Sequence, residues 1–381
     1  MQSNGIFLDI VTFISILKAC CNSGSINEGQ VMHCEVERRG FLQGNLELGS
    51  SLVKLYAKCG FLNKAREIFD KFMVQDVVLW TALIGGYAEH GHCEEALKCI
   101  EQMQSECILP DSVVFVLSLN ACNSIGAIER GREVHAILES KGSLDVEVNI
   151  TTALVDMYAK CGMLRKAQEV FDRLKVQDVA TWTTLIMGYT ENGCGEEALK
   201  CFEQMQFEGV APDVITVVCG LKACGDVVSI EKGKELHSLI EKSGCLEEES
   251  IVRSTLIEMY VKFDLLANAL VESKVVFNSL VVRDVVSWNA LITGYAENGN
   301  LQRVLECFNQ MKLQCVLPDS LTYISVLKAC ASIGAIAKGK QIHQEIKEQE
   351  LLRTDFVVEA SLIDMYGKCG LLCEAREAFD K

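Results

Sequence analysis

The sequence predicts an all-α fold, a solenoid of stacked two-helix repeats, on three observations. All three tryptophans of the 381-residue chain lie 102 and 106 residues apart, at Trp80, Trp182 and Trp288. All three prolines show the same two spacings, at Pro110, Pro212 and Pro318. Between these markers the apolar residues follow a helical period, and helices this short cannot bury an apolar face without stacked neighbours.

Each long period divides into three shorter units, which gives about eleven units after an N-terminal leader at 1–9. A recurring A-C dipeptide, for example, ends at Cys20, Cys122, Cys224 and Cys330. The unit at 250–284 is four residues longer than its counterparts, with the extra residues around Ala269–Val275. The predicted units are 10–45, 46–76, 77–111, 112–147, 148–178, 179–213, 214–249, 250–284, 285–319, 320–355 and the incomplete 356–381.

Within a unit the pattern indicates two helices. In the unit at 77–111, the first helix has an apolar stripe at i, i+3, i+4 and i+7, formed by Trp80, Leu83, Ile84 and Tyr87. Gly91 follows as a residue suited to the left-handed end of a helix. Glu94 and Glu95 then suit the positive N-terminal end of a second helix. The apolar face of that helix consists of Ala96, Leu97, Ile100 and Met103.

Composition excludes several classes of protein. The net charge is −16, with a pI of about 4.9, which by itself disfavours nucleic-acid binding. No run of about 18 apolar residues occurs, so no membrane-spanning helix is expected. The 19 cysteines form no C-x-x-C pair in this long chain, and Met1–Asp9 has no signal-peptide features. We therefore expect reduced, mostly buried thiols, with no metal and no cofactor.

The recurring segments resemble the pentatricopeptide repeat family in its plant-type arrangement of P, L and S motifs. WTALIGGYAEHG followed by EEALKCIEQMQSECILPD resembles a P motif, FVLSLNACNSIGAIERGREVHAILESKG an L motif, and ALVDMYAKCGMLRKAQEVFDRL an S motif. The resemblance covers 10–381 in the order L-S-P-L-S-P-L-S-P-L-S. It implies a right-handed superhelix whose first helices line a groove for single-stranded RNA, read at about one base per repeat. Because the sequence stops inside an S motif, we expect a C-terminally truncated chain.

In this family the fifth and last residues of a motif together select the base. A short hydroxyl with Asp tends to select guanine and Asn with Asp uracil, since a hydroxyl leaves room for a purine and an amide reaches a pyrimidine edge. L units carry Ile14, Val116, Val218 and Ile324 at the fifth position, where we expect weak discrimination. The predicted target is 5′-?-G-G-?-G-G-?-G-U-?-?-3′. The predicted pairs are Ser50 with Asp76, Thr81 with Asp111, Thr152 with Asp178, Thr183 with Asp213, Ser254 with Asp284, and Asn289 with Asp319.

The second residue of a motif is expected to stack between successive bases. Apolar contact with a base face supplies affinity without choice of base. Ala180, Glu47 and Asn149 are poorer contacts than the aliphatic residues. The predicted stacking residues are Val78, Ala180 and Val286 in P units, and Val11, Val113, Ile215 and Leu321 in L units.

For two sets of residues, a structural role is the alternative to contact with RNA. The Asp at each unit boundary precedes a helix, so it suits an N-cap as well as base selection. One lysine ends the first helix of every S unit, where it either compensates the helix dipole or contacts phosphate. If they contact phosphate, these lysines form a local basic track that would attract RNA despite the negative net charge of the chain. They are Lys58, Lys160, Lys262 and Lys368.

Other residue patterns point to structure. The histidines His33, His135, His237 and His343 recur on second helices of L units, where we expect packing. The segment from Gly334 to Lys340 approaches a phosphate-binding loop, but Gln341 replaces the required Ser or Thr. Three H-x-E tripeptides lack the P-C-x-x-C partner of a zinc deaminase. We therefore predict no enzymatic activity.

The resemblance thus implies sequence-specific binding of single-stranded RNA, guiding organellar RNA editing or processing without catalysing it. Editing-complex proteins are the further partners implied, and no membrane is expected. Localisation in a mitochondrion or chloroplast is carried over from the family, since no transit peptide is visible in the chain. The alternative is a helical-repeat scaffold that binds a peptide in the same groove. RNA binding differs from it in weakening steeply as the salt concentration rises.

Overall fold

The computed structural model describes residues 8–141, 147–243, 250–267, 272–280, 283–297, 299–348 and 355–379. Over these ranges it contains 22 α-helices and no β-strand. The chain forms two compact units, Met1–Gly188 and Tyr189–Lys381. The all-α repeat architecture predicted from the sequence is confirmed within each of them.

The first unit is a series of antiparallel helix pairs. A first helix begins at residues 10, 46, 77, 112, 148 and 179, which are the starts of the predicted repeats. The helices are α1 (Ile10–Ser23), α2 (Ile26–Arg38), α3 (Leu46–Lys58), α4 (Leu62–Asp70), α5 (Val77–Glu89), α6 (Cys93–Ser105), α7 (Ser112–Ile125), α8 (Ile128–Lys141), α9 (Val148–Lys160), α10 (Leu164–Phe171) and α11 (Val179–Glu191).

The second unit continues the same alternation. Its helix α15 has 18 residues, against 13 in α3 and α9, so part of the extra length of that repeat extends its first helix. Of the insertion predicted around Ala269–Val275, residues 269–271 lie outside the described residues, and the rest falls in the first turn of the following helix. The helices are α12 (Gly195–Phe207), α13 (Val214–Val227), α14 (Ile230–Ser243), α15 (Ser250–Ala267), α16 (Glu272–Ser279), α17 (Val285–Glu297), α18 (Leu301–Leu313), α19 (Ser320–Ile333), α20 (Ile336–Glu348), α21 (Phe356–Lys368) and α22 (Leu372–Phe379).

The helices of each unit form two layers. First helices pack on first helices, as α1 on α3, α3 on α5 and α5 on α7. Within a unit, a second helix packs against its own first helix and the next one, as α4 does against α3 and α5 and α6 against α5 and α7. In the second unit α15, α17, α19 and α21 pack in the same series. One layer therefore presents first helices side by side.

Aromatic pairs hold the layers together at the repeat junctions. Trp80 is fully buried in α5, and its ring lies edge-on to Phe69 of α4 with the ring centroids 4.5 Å apart. The pairs Phe171–Trp182 and Phe277–Trp288 repeat this contact at the same 4.5 Å. Burying such rings supplies much of the apolar stabilisation of a helix pair. The tryptophan period in the sequence is thus the period of this contact.

The recurring histidines are packing residues, as predicted. Each places its ring Nδ1 within hydrogen-bond distance of a tyrosine hydroxyl 23 residues later, in the first helix of the next repeat. Burial lowers the pKa of His33, His135 and His237 below the ordinary value. The four distances are 3.0 Å for His33–Tyr56, 2.8 Å for His135–Tyr158, 3.0 Å for His237–Tyr260 and 2.8 Å for His343–Tyr366.

The cysteines of the described ranges are all free thiols, and most of them are buried. Burial raises the pKa of Cys122 to about 11 and that of Cys224 to about 12. Such thiols behave as small apolar side chains, because the reactive thiolate is disfavoured. Among the described helices, none combines the length and the apolar character that crossing a bilayer requires.

Candidate nucleic-acid interface

Aspartates at the repeat boundaries begin the first helices. Asp76 accepts the Leu79 backbone N–H at 2.8 Å, and Asp111 accepts that of Val114 at 2.9 Å. Asp178, Asp213, Asp284 and Asp319 accept the corresponding N–H groups in the same way. Each therefore caps a helix, the structural role that the sequence left open. The bond to the helix uses only Oδ1, which leaves Oδ2 for another contact.

A groove of about 750 Å³ runs over the exposed face of first helices α1, α3, α5 and α7. The fifth residue Thr81, the last residue Asp111 of the same repeat and the second residue Val113 of the next repeat all line it. Ser50 and Val78 line it as well. Five predicted RNA-contacting residues thus share one surface.

A second groove, of about 720 Å³, continues over α7, α9 and α11 within the first unit. It repeats the same combination: the fifth residue Thr152, the last residue Asp178 and the second residue Ala180 of the next repeat. Val113 and Val116 line its other side. The combination of a hydroxyl, a carboxylate and a small apolar group therefore recurs from one set of repeats to the next.

The residues predicted to stack on bases are solvent-exposed aliphatic side chains. Val78 is 61% exposed and Val286 43% exposed, and Ala180 is also exposed. Aliphatic side chains do not gain from contact with water, so exposed ones on the first helices offer an apolar contact to a ligand. The exposed second residues that the sequence analysis did not single out are Ile251 and Val357. The other exposed members are Val11, Val113, Ile215 and Leu321.

The fifth residues are less exposed than the second residues. Thr81 and Thr152 are half-buried, whereas Thr183, Asn289, Ser50 and Ser254 are each under a tenth exposed. The hydroxyls donate to carbonyls of their own helices, as Thr81 Oγ1 does to Val77 at 2.7 Å. A hydroxyl held in this way keeps its lone pairs as acceptors for another donor.

Two of the predicted pairs are connected by hydrogen bonds. Asn289 Nδ2 lies 2.9 Å from each carboxylate oxygen of Asp319. Thr152 Oγ1 lies 3.0 Å from Thr181 Oγ1, which donates to Asp178 Oδ1 at 2.6 Å. Thr183 lies in the first unit and Asp213 in the second, and each is described only within its own unit. Ser50 lines the groove and Asp76 caps α5, with no hydrogen bond between their described side chains.

The connecting hydroxyl at the third position of a repeat is a residue that sequence analysis missed. Thr181, Ser287 and Thr322 each donate a side-chain hydroxyl to the preceding boundary aspartate. The Thr322 hydroxyl lies 2.5 Å from Asn289 Oδ1 and 2.8 Å from Asp319 Oδ1, so its single hydrogen is shared between these two acceptors. The signal in the sequence is Asp followed three residues later by Ser or Thr. It is easily overlooked, because Asp76 and Asp111 are followed by Leu79 and Val114 at that position.

Lysines are present on the same face, but most of the predicted ones are neutralised. Lys160 pairs with Asp156 at 3.1 Å, Lys262 with Asp226 at 2.6 Å and Lys368 with Asp364 at 2.7 Å. Lys58 has no ion-pair partner among the described side chains and lines the first groove. Lys18 and Lys54 line that groove too, and sequence analysis missed them; Lys18 lies 3.8 Å from Glu47, which lines the same groove. The K-A-C tripeptide that contains Lys18 recurs at Lys222 and Lys328, which was the available signal.

Sequence comparisons agree with the repeat assignment. Models of the PPR repeat family match residues 75–124, 177–226 and 283–332, and a PPR repeat model matches residues 11–41, 50–77 and 150–179. A chloroplastic pentatricopeptide repeat-containing protein of Arabidopsis thaliana is 36% identical over 371 residues, which cover 97% of this chain and 45% of that protein. A mitochondrial one from the same organism is 32% identical over 381 residues, covering 100% of this chain and 54% of that protein.

Solved structures with the same fold include two RNA complexes. The pentatricopeptide repeat protein PPR10 bound to an 18-nucleotide psaJ RNA element superposes with a TM-score of 0.68 at 17% identity, over 100% of this chain and 59% of PPR10. Yeast Rmd9p bound to a 16-nucleotide target RNA gives 0.53 at 11% identity, over 96% of this chain and 87% of Rmd9p. The chain spans about half the length of the curated relatives it matches. The repeat matches along its length place this chain in the pentatricopeptide repeat family.

Proposed function

We propose that this chain binds single-stranded RNA in a sequence-specific way along its first-helix face, at about one base per repeat. One observation supports this most strongly. In each of the two grooves of the first unit, the fifth residue, the last residue and the next second residue line a common surface. Such a surface offers polar groups to the edge of a base and an apolar contact to its face. The RNA complexes of PPR10 and Rmd9p are consistent with the proposal.

The biological role proposed is to guide RNA editing or processing in a mitochondrion or chloroplast, without catalysing the reaction. The names of the relatives, which specify chloroplastic and mitochondrial proteins, support that location. The catalytic step would then belong to a partner protein of an editing complex. Base recognition along the repeats would place that partner at a defined nucleotide.

The negative net charge of the chain does not by itself decide whether the groove attracts RNA. Lys18, Lys54 and Lys58 line the first groove together with Glu47, Glu89 and Asp111, and many of the other carboxylates lie on second helices, in the other layer. Electrostatic attraction of a phosphate depends on charges within about a Debye length, roughly 8 Å at physiological salt. The three lysines and three carboxylates of this groove therefore count more than the net charge of −16, and Lys54 and Lys58 are the cations without a described ion pair.

The test is a binding measurement on the purified chain by fluorescence anisotropy. One labelled 11-nucleotide RNA carries the predicted target and a second carries the same bases in scrambled order. We expect tighter binding of the target, and a slope of log affinity against log salt of roughly −2 if about three phosphates are neutralised. Equal affinity for both RNAs would contradict the predicted choice of base at each repeat. Undetectable RNA binding, with a peptide captured instead, would favour the scaffold function.

A further inference from the structure

In one S-type repeat, the fourth residue contacts the aspartate that is predicted to select the base. This position holds Gly49, Thr151, Arg253 and Glu359 in the four S-type repeats. Arg253 is buried in α15, with its side chain 6% exposed. A guanidinium has no neutral form at physiological pH, so a buried one requires an anionic partner.

That partner is Asp284, the last residue of the same repeat. Arg253 Nη2 donates to Asp284 Oδ2 at 3.0 Å. The other oxygen, Oδ1, accepts both the backbone N–H and the hydroxyl of Ser287 at 2.9 Å. Each oxygen of this carboxylate therefore accepts a hydrogen bond from the protein, and one of the donors is a cation.

The preceding S-type repeat provides an internal comparison. At Asp178 the described hydrogen bonds, from the N–H and hydroxyl of Thr181, both end on Oδ1. The residue that corresponds to Arg253 is Thr151, which cannot form an ion pair. The two repeats thus carry the same kind of fifth residue, Thr152 and Ser254, with aspartates in different electrostatic states.

The ion pair also holds Asp284 in its charged form. Burial raises the pKa of this carboxyl, but the hydrogen bonds from Ser287 and Arg253 outweigh it and leave the pKa below its ordinary value. The negative charge therefore persists but is matched by the guanidinium beside it. A base N–H that approaches Oδ2 would compete with a charge-assisted hydrogen bond and meet a carboxylate whose charge is already matched, and such bonds are about twice as strong as neutral ones.

We propose that Arg253 is a specificity-determining residue that withdraws Asp284 from base recognition, so that the repeat at 250–284 accepts all four bases. Without Arg253, the pair Ser254–Asp284 would select guanine, as Thr152–Asp178 is proposed to do. This inference rests on the proposed function. It changes the predicted target at its eighth nucleotide from guanine to any base, and leaves the fifth nucleotide as guanine.

The first experiment uses the unaltered chain and eight RNAs. Four vary only at the fifth nucleotide, opposite the repeat at 148–178, and four vary only at the eighth. We expect guanine to be preferred by about tenfold at the fifth nucleotide, which corresponds to about 1.4 kcal/mol, and by less than about twofold at the eighth. An equal guanine preference at both nucleotides would contradict the role of Arg253 and leave the proposed function intact. Absence of preference at the fifth nucleotide would instead contradict the proposed function.

The second experiment uses two variants with the same eight RNAs. Arg253→Thr introduces the residue found at position 151, and we expect it to create a guanine preference at the eighth nucleotide without changing the fifth. Arg253→Lys keeps a cation beside Asp284 and should retain the flat profile. Circular dichroism checks the fold of both variants. If Arg253→Thr folds and its eighth-nucleotide profile stays flat, the inference is wrong; if it fails to fold, the comparison within the unaltered chain still decides.

Discussion

Asn289 donates its side-chain amide to Asp319, and Nδ2 lies 2.9 Å from both carboxylate oxygens. Asp319 in turn caps α19, the first helix of the following repeat. Because a carboxylate only accepts, the amide nitrogen must face Asp319 and the amide oxygen must face the Thr322 hydroxyl. The fifth residue of one repeat is thus oriented by the first turn of the next.

The first prediction changes that fifth residue. Asn289→Thr should change the preferred ninth nucleotide from uracil to guanine by about tenfold, since it reproduces the combination found at Thr152 and Asp178. The Thr322 hydroxyl would then connect the new threonine to Asp319, as Thr181 connects Thr152 to Asp178. Binding of four RNAs that differ at the ninth nucleotide measures the change. An unaltered uracil preference would contradict the assignment, and the profile at the fifth nucleotide serves as the control.

The second prediction concerns the exposed aliphatic row. Val78→Asp should weaken binding of all RNAs by roughly the same factor, about tenfold, because it removes an apolar base contact and adds a charge that repels phosphate. Val74→Asp is the matched control, since Val74 is 73% exposed and lies in the loop before α5, outside both grooves. Anisotropy titrations compare the two variants. Equal weakening by both would mean that charge alone explains the effect.

The periodicity of the sequence was sufficient to predict the repeats and the starts of the first helices, because tryptophan, histidine and cysteine each mark a recurring packing contact. In the first unit, second, fifth and last residues that the sequence grouped together, such as Val113, Thr81 and Asp111, line one groove, and their role in binding RNA stays a prediction. What the periodicity could not predict was the state of each aspartate. Whether Asp284 is paired with Arg253 depends on a contact across 31 residues that, in the described part of the chain, is found in the repeat at 250–284.

A third prediction tests the close approach of first helices. A Cβ added at Gly86 in α5 would overlap Ala57 in α3, whereas one added at Gly85 would meet Leu117 at an ordinary 3.7 Å. Gly86→Ala should therefore lower the midpoint of thermal unfolding, with a cost of about 1–3 kcal/mol for overpacking. Gly85→Ala should leave it unchanged or raise it, since alanine favours a helix by up to about 1 kcal/mol over glycine. Similar midpoints for the two variants would show that α3 and α5 are not in close contact.

A fourth prediction concerns the buried histidine–tyrosine pair. Tyr56→Phe removes the hydroxyl 3.0 Å from His33 Nδ1 and leaves that nitrogen in a buried site. We expect a loss of about 1–3 kcal/mol in the free energy of unfolding, the cost of an unsatisfied buried polar group. Tyr87→Phe is the control, because the Tyr87 hydroxyl has no hydrogen bond to another described residue. Chemical denaturation measures both, and equal stabilities would contradict a structural role for the pair.

The final prediction follows from the pKa values of these histidines. Burial lowers the pKa of His33, His135 and His237, and the nearby Glu37, Glu139 and Glu241 offset this only in part. Since the unfolded chain has the higher histidine pKa, it binds protons more readily, and acid favours unfolding. Stability should be fully present above about pH 6.5 and decline as the pH falls below that value toward the lower pKa of the folded state.

Thermal unfolding at about pH 7.5 and about pH 5.5 measures this decline. Ion-paired carboxylates contribute in a separate range, since Glu35, with its pKa lowered to about 2 by Arg38 and Arg39, loses its contribution only below the ordinary value of 4.5. The double variant His33→Gln, His135→Gln removes two of the titrating groups and should show a smaller decrease in midpoint between the two pH values. The same decrease in the variant and the unaltered chain would assign the pH dependence to groups other than these histidines.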